Sequence, residues 1–273
     1  MICNRFFIRV FLLLYNVLVF FEVNAQCRVE RVNCAIGEEL RYNVSYNWGF
    51  IWVDGGEVIF RVEDGGPGRF KITGEGRTYP SRDWIFSIRD QYVSIIDQGT
   101  MMPYYAYRNN REGTIWCEHK YFFDYSRQKV YTEVEEANVS FSRDTLSLTG
   151  CVLDLQTAVY IVRSRDFSSL KVNEKIPLQV LIANQILPLY FRYLGKVNLR
   201  VHETGIVYRC HKFKVNLIAG SMFKEGENMT VWVTDDKNKI PIQFEAEILV
   251  GSVKAMLRSN KGQKYQLNAI VTQ

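Results

Sequence analysis

The chain has 273 residues, 47% of them apolar and 23% charged, with a net charge of +5 and only three histidines. That composition excludes a disordered chain, a collagen-like repeat and a disulfide-dense miniprotein. The positive balance is small and spread out, so nucleic acid is not expected as a partner, and three histidines leave little for a multi-histidine metal centre.

The chain opens on an address. Arg5 and Arg9 give a basic start, Val10–Phe21 is apolar or aromatic except for Asn16, and Val23-Asn24-Ala25 offers compact residues for a peptidase. This three-part plan reads as a secretory signal over residues 1–25, cut after Ala25. Arg9 and Glu22 bracket a run too short for the roughly 20 apolar residues that a membrane-spanning helix needs. Gln26 before Cys27 argues against lipidation, which would place a small residue there. The expectation is an exported protein with no transmembrane segment after cleavage.

Five cysteines follow: Cys27, Cys34, Cys117, Cys151 and Cys210. An oxidising compartment favours pairing, and the odd number leaves at least one thiol free or paired between chains. Cys27 and Cys34 are the candidates for a disulfide closing a small N-terminal loop.

Most of the remainder alternates with a period of two. Leu40, Tyr42, Val44, Tyr46 and Trp48 share one face, against Arg41, Asn43, Ser45 and Asn47 on the other. The rhythm returns at Val58-Phe60-Val62, Phe213-Val215-Leu217, Ile242-Phe244-Ala246-Ile248 and Tyr265-Leu267-Ala269-Val271. Hairpin loops are expected at Asp54-Gly55-Gly56, Asp64–Gly68, Asn109–Gly113 and Asp235–Asn238. One segment differs. Leu155, Ala158, Val159 and Val162 follow a helical spacing, Asp154 is placed to cap the N-terminus, and Arg163 and Arg165 suit the other end. The predicted fold is mainly β: antiparallel strands in a curved sheet, half-barrel or open barrel, with one short helix near the middle. Residues 26–273 form either one domain or two β lobes joined by the helix near 154–165.

Several of these segments are familiar. Gly37–Tyr42, Trp48–Gly56, Phe223–Glu227, Val231–Asp236, Asn238–Ile242 and Gly251–Ala255 together resemble the domain-of-unknown-function 3108 family of exported proteins, especially from Gram-negative bacteria. The resemblance implies an all-β body and a periplasmic or other envelope location, and brings no catalytic residues. The Trp232–Ile242 hairpin is also similar to one in lipoprotein-carrier half-barrels, which hold acyl chains.

No motif signals an enzyme. There is no Gly-x-Ser-x-Gly elbow, and no cofactor is expected. Asp235–Asn238 lacks the spaced oxygens of a calcium loop and reads as a turn. Cys117 and His119 share a strand face, whereas Cys210 and His211 point opposite ways, which spoils a zinc set. His202 reads as a surface residue and His211 as partly buried with a hydrogen-bond partner. Glu38-Glu39 and Glu135-Glu136 read as solvated charges. The aromatic content of 14% is the remaining signal. Trp48, Trp52, Tyr104, Tyr105 and Tyr107 are the candidate ligand-binding residues, the last three within the dense Met101–Tyr107 cluster. The expected function is a non-enzymatic binding or carrier module for an apolar ligand such as an acyl chain. The alternative is a structural or docking protein that meets an envelope partner through an exposed sheet edge or surface patch.

Overall fold

The computed structural model describes residues 29, 31–48, 51–84, 87–217, 226–248 and 251–271. The signal, Cys27 and the Phe223–Glu225 part of the family-like segment lie outside them. Among the described residues, fifteen strands form one sheet. The first eight are β1 (Glu39–Trp48), β2 (Ile51–Asp64), β3 (Arg69–Thr78), β4 (Ile88–Asp97), β5 (Pro103–Glu112), β6 (Ile115–Asp124), β7 (Lys129–Glu136) and β8 (Val139–Ser147). The two-residue β9 (Val152–Leu153) leads into the helix α1 (Leu155–Arg163). The rest are β10 (Lys175–Ile182), β11 (Gln185–Arg200), β12 (Val207–Leu217), β13 (Gly226–Thr234), β14 (Pro241–Glu247) and β15 (Ser252–Lys261).

The order is two meanders joined back to back. β1 to β8 run outward on one side, β15 back to β9 on the other, and β1 pairs antiparallel with β15 at the join. Among the described strands, only β9–β10 is a parallel pair. β8 and β9 end the order without pairing to each other, so the sheet is open.

The helix fills the concave side. Ala158, Tyr160, Ile161 and Val162 are buried among Ile72, Ile96, Val180, Phe213 and Val231 in one continuous core. Each large aliphatic side chain buried there contributes roughly 1.5–3 kcal/mol. The apolar spacing of the helix identifies only part of its buried surface. Gln156, Thr157 and Arg163 are buried too, while Leu155 is exposed, because sheet surrounds the helix on several sides.

Both helix ends are tied to the sheet. Asp154 accepts the Gln156 and Thr157 amides at 3.0 and 3.2 Å and the Ser94 hydroxyl of β4 at 2.6 Å. Arg163 grips Glu38 beside β1 with two hydrogen bonds, 2.7 and 2.9 Å. Glu38 is thus a buried ion-pair partner, not a solvated charge; its neighbour Glu39 pairs with Arg41 and Arg61.

Other sequence expectations change in instructive ways. Asp54-Gly55-Gly56 is no loop: β2 runs straight through it. Val44 pairs with Gly56 and Ser45 with Asp54, so Gly55 is the extra residue of a bulge. A side chain on Gly56 would meet the Arg77 carbonyl oxygen at 2.3 Å, so strand–strand approach, and not a turn, requires that glycine. Asn109–Glu112 belong to β5, leaving the turn to Gly113 and Thr114. Tyr265–Val271 is not a strand; it runs extended beside β12 through a single bridge, Tyr208 to Ile270. The Asp64–Gly68 and Asp235–Asn238 turns fall where expected. In the second, Asp236 accepts the Thr234 hydroxyl and the Asn238 and Lys239 amides, which is why aspartate suits that position.

Cys34 is a free, buried thiol, so the Cys27–Cys34 disulfide does not form. Cys151 is disulfide-bonded. Cysteine spacing gave no warning of this, because a link from Cys151 is set by the path of the segment entering β9.

Candidate functional site

A cleft of about 760 Å³ opens at the end of the sheet where the β4–β5 and β6–β7 turns meet the segment entering β9. Its apolar lining comes from Met102, Pro103, Tyr104, Phe123, Tyr125 and Cys151. The backbone at Met101 takes a left-handed φ of 60°, with its side chain fully in the core, and Met102 then lines the cleft. The Met102 sulfur lies 3.7 Å from the Cys151 sulfur. Phe123 and Tyr125 stack at 5.9 Å, and the Tyr125 hydroxyl donates to the Val152 carbonyl at 2.9 Å. One wall is therefore tied to β9.

Tyr104 owes its place to a bulge. Tyr105 pairs with Ile95 and Pro103 with Ile96, so Tyr104 has no partner across the β4–β5 ladder. Its ring carries the Arg69 guanidinium 4.4 Å above it, and its hydroxyl donates to Asp97 at 3.3 Å. Asp97 and Asp124 stand on the cleft wall. The Thr100 amide holds the Asp97 carboxyl below the usual range, and the Ser126 hydroxyl does the same for Asp124. Both are ionised, and both are engaged in their own turns.

The five candidate aromatics do not converge. Tyr104 alone lines the cleft. Ala106 is buried with Tyr121 and Phe123, so Tyr105 and Tyr107, on either side of it, face the convex surface. There Tyr105 meets Phe122 at 5.2 Å, and the Tyr107 hydroxyl accepts from Asn109 at 3.1 Å. Trp52, 39% exposed, lies under the Lys254 ammonium at 4.1 Å. The Trp48 backbone pairs with Ile51, and its side chain lies outside the described residues.

Two other features lie away from the cleft. His211 is buried between the Tyr193 hydroxyl, 3.0 Å from Nδ1, and Asp235, 2.9 Å from Nε2, with Lys196 on the other Asp235 oxygen at 2.9 Å. Burial pushes its pKa below the ordinary value. The expected hydrogen-bond partner is present, and His202 is exposed. The second feature is a polar stretch on the concave face of β4–β7. His119 bonds Tyr121 and Glu136, each at 2.8 Å, so Glu136 is not simply solvated. Polar residues at positions sharing a strand face with buried ones, such as Arg108 and Asn110 two and four places after Ala106, were the available signal. No three His, Cys, Asp or Glu side chains among the described residues form a metal cluster, and no described helix is long and apolar enough to cross a membrane.

The model of a protein family of unknown function, DUF3108, matches residues 41–258, and the chain belongs to that family. The family-like segments fall on β1, β2, β13, β14 and β15, the strands around the join of the two meanders. Among solved structures, the chain is similar to a β-barrel-like protein of the DUF1849 domain from Brucella abortus, at 8% identity and a TM-score of 0.57. That match covers 86% of this chain and all of the other, and it shows a shared fold. A Bacteroides fragilis protein with a YmcC-like fold matches at 8% identity and a TM-score of 0.34, covering 85% of this chain and 98% of its own. No curated protein matches.

Proposed function

We propose that the protein is an exported, non-enzymatic binding module that takes an apolar ligand, such as an acyl chain, in the cleft beside Tyr104. The observation that carries this reading is the cleft itself. Its volume of about 760 Å³ lies within the usual 300–1,000 Å³ of small-molecule sites. Its lining joins a flexible methionine, two tyrosines and a phenylalanine, residues that adapt to apolar shapes. The ionised Asp97 and Asp124 disfavour an anionic headgroup inside, so the chain end enters and a polar head stays in water. The signal-like residues 1–25 support export.

A fluorescent acyl probe, dansyl-undecanoate, tests the reading. The expected result is saturable binding that Met102→Asp weakens at least tenfold and Trp52→Ala, on the convex face, leaves unchanged. Absence of saturable binding, or equal affinity in the Met102 variant, overturns it.

One observation favours docking through a sheet edge as a second reading. Eight of the nine residues of β8 are exposed, including Val139 and Phe141, and no strand among the described residues pairs with its outer edge. Such an edge accepts an added strand.

A further inference from the structure

The polar groups of the Tyr104 cleft are nearly all of one kind. Its wall carries the hydroxyls of Thr100, Tyr104, Tyr125 and Ser126. A hydroxyl has a single proton to donate, and each of these gives it to the protein. Tyr104 donates to Asp97 Oδ2 at 3.3 Å and Thr100 to Asp97 Oδ1 at 3.0 Å. Ser126 donates to Asp124 Oδ1 at 2.6 Å, and Tyr125 to the Val152 carbonyl at 2.9 Å. The Gln128 amide nitrogen, also on the wall, donates to the Tyr125 carbonyl at 2.8 Å. Among the described residues, no lysine, arginine or histidine lines the cleft. The side chains therefore offer a ligand mainly lone pairs, on the hydroxyl oxygens and on two carboxylates.

The two carboxylates are unequally engaged. Asp124 gives one oxygen to its own turn and the other to the Arg127 guanidinium at 2.9 Å. Asp97 Oδ1 accepts the Gly99 and Thr100 amides at 2.9 and 2.7 Å, whereas Oδ2 has only the long bond from Tyr104. The turn contacts keep Asp97 ionised. Arg69 stands opposite Asp97 in the β3–β4 register, but its guanidinium lies over the Tyr104 ring. One lightly used, negatively charged oxygen thus shares the cleft with an apolar wall of Met102, Pro103 and Phe123.

We infer, resting on the reading of this cleft as a site for an apolar chain, that its ligand is an amphiphile with one aliphatic chain and a primary ammonium group. The chain lies against Met102 and Phe123, and the ammonium donates to Asp97 Oδ2 and the Tyr104 oxygen. A carboxylate or phosphate head brings only acceptors to a wall of acceptors. An alcohol brings one donor. An ammonium brings three and a charge, and hydrogen bonds to ionised groups are about twice as strong as neutral ones. The net charge of the chain, +5, by itself attracts anions, so a preference for ammonium has to arise in the cleft.

Displacement of bound dansyl-undecanoate from the intact mature protein tests this, with decylamine, decanol and decanoate as competitors at pH 7, each below its micellar concentration. Decylamine is expected to displace the probe at concentrations roughly tenfold lower than decanol, and decanoate to be the weakest. Asp97→Asn keeps a side-chain oxygen for the turn amides and is expected to bring decylamine level with decanol. Equal potency of the three in the wild type, or decanoate as the strongest, overturns the inference and leaves the cleft reading standing. So does an amine preference that survives in the folded Asp97→Asn variant. A wild-type protein that binds no probe and none of the three competitors overturns the inference and the cleft reading together.

Discussion

Arg163, the last residue of α1, and Glu38, at the entry to β1, form a two-pronged ion pair inside the sheet, with side chains 3% and 0% exposed. The guanidinium also donates to the carbonyls of Asn238 and Lys239 in the β13–β14 turn. One side chain thus joins the helix to both meanders near the place where they meet.

Removing one partner leaves the other charge buried and unpaired, which typically costs 3–5 kcal/mol. Glu38→Gln is therefore expected to destabilise the fold by about that much, measured by urea denaturation. The double variant Glu38→Leu with Arg163→Met is expected to recover a large part of the loss, because apolar groups of similar volume do not strand a charge. A double variant less stable than the single one would show that the hydrogen bonds to the β13–β14 turn dominate.

At the opposite helix end, Asp154→Ala removes a cap and the acceptor of the Ser94 hydroxyl together. A loss of roughly 1–3 kcal/mol is expected. Amide exchange is expected to rise first at Gln156 and Thr157.

Asp90 gives the fold a pH dependence. Burial, reinforced by Glu112, pushes its carboxyl up to about 6 from an ordinary 3.8. The folded state thus holds the proton more tightly than the unfolded one. The stability contributed by that proton is complete below about pH 3.8 and is lost as pH rises to about 6. Asp90→Asn keeps the uncharged form throughout, so its melting temperature relative to wild type is expected to climb from pH 4 to pH 7. A constant difference would show that Asp90 is solvated.

The cysteines should divide into distinct groups. Burial pushes the Cys34 and Cys210 thiols up to about 12, so neither is expected to react with iodoacetamide at pH 8 until the protein unfolds. Cys117, half-buried, is expected to react slowly in the folded state, and Cys151 only after reduction. Peptide mapping by mass spectrometry reads all four.

Much of the architecture was legible because alternation is a local property. The Leu40–Trp48 rhythm became β1, and Asp154 with the spacing after it became a capped helix within a residue or two of its expected ends. What local patterns lack is the other side of each contact. Gly55-Gly56 has turn composition, yet the nearby Arg77 carbonyl makes it strand. Glu38 looks like any surface acid until α1 brings Arg163 to it from 125 residues away. The cleft was half-legible. The Met101–Tyr107 cluster stands out in the sequence as a unit, but alternation divides it between two faces, and only the bulge at Tyr104 selects the residue that reaches the cleft. The polar stretch on β4–β7 leaves only a faint trace in the sequence, because each strand supplies one or two of its members.

Native mass spectrometry of the mature protein, purified without detergent from its own host, reads whether the Tyr104 cleft holds an apolar ligand. A non-covalent adduct of lipid-like mass is expected, which denaturation releases and Met102→Asp abolishes. A population with only the polypeptide mass, alongside a folded chain that binds no acyl probe, would contradict it.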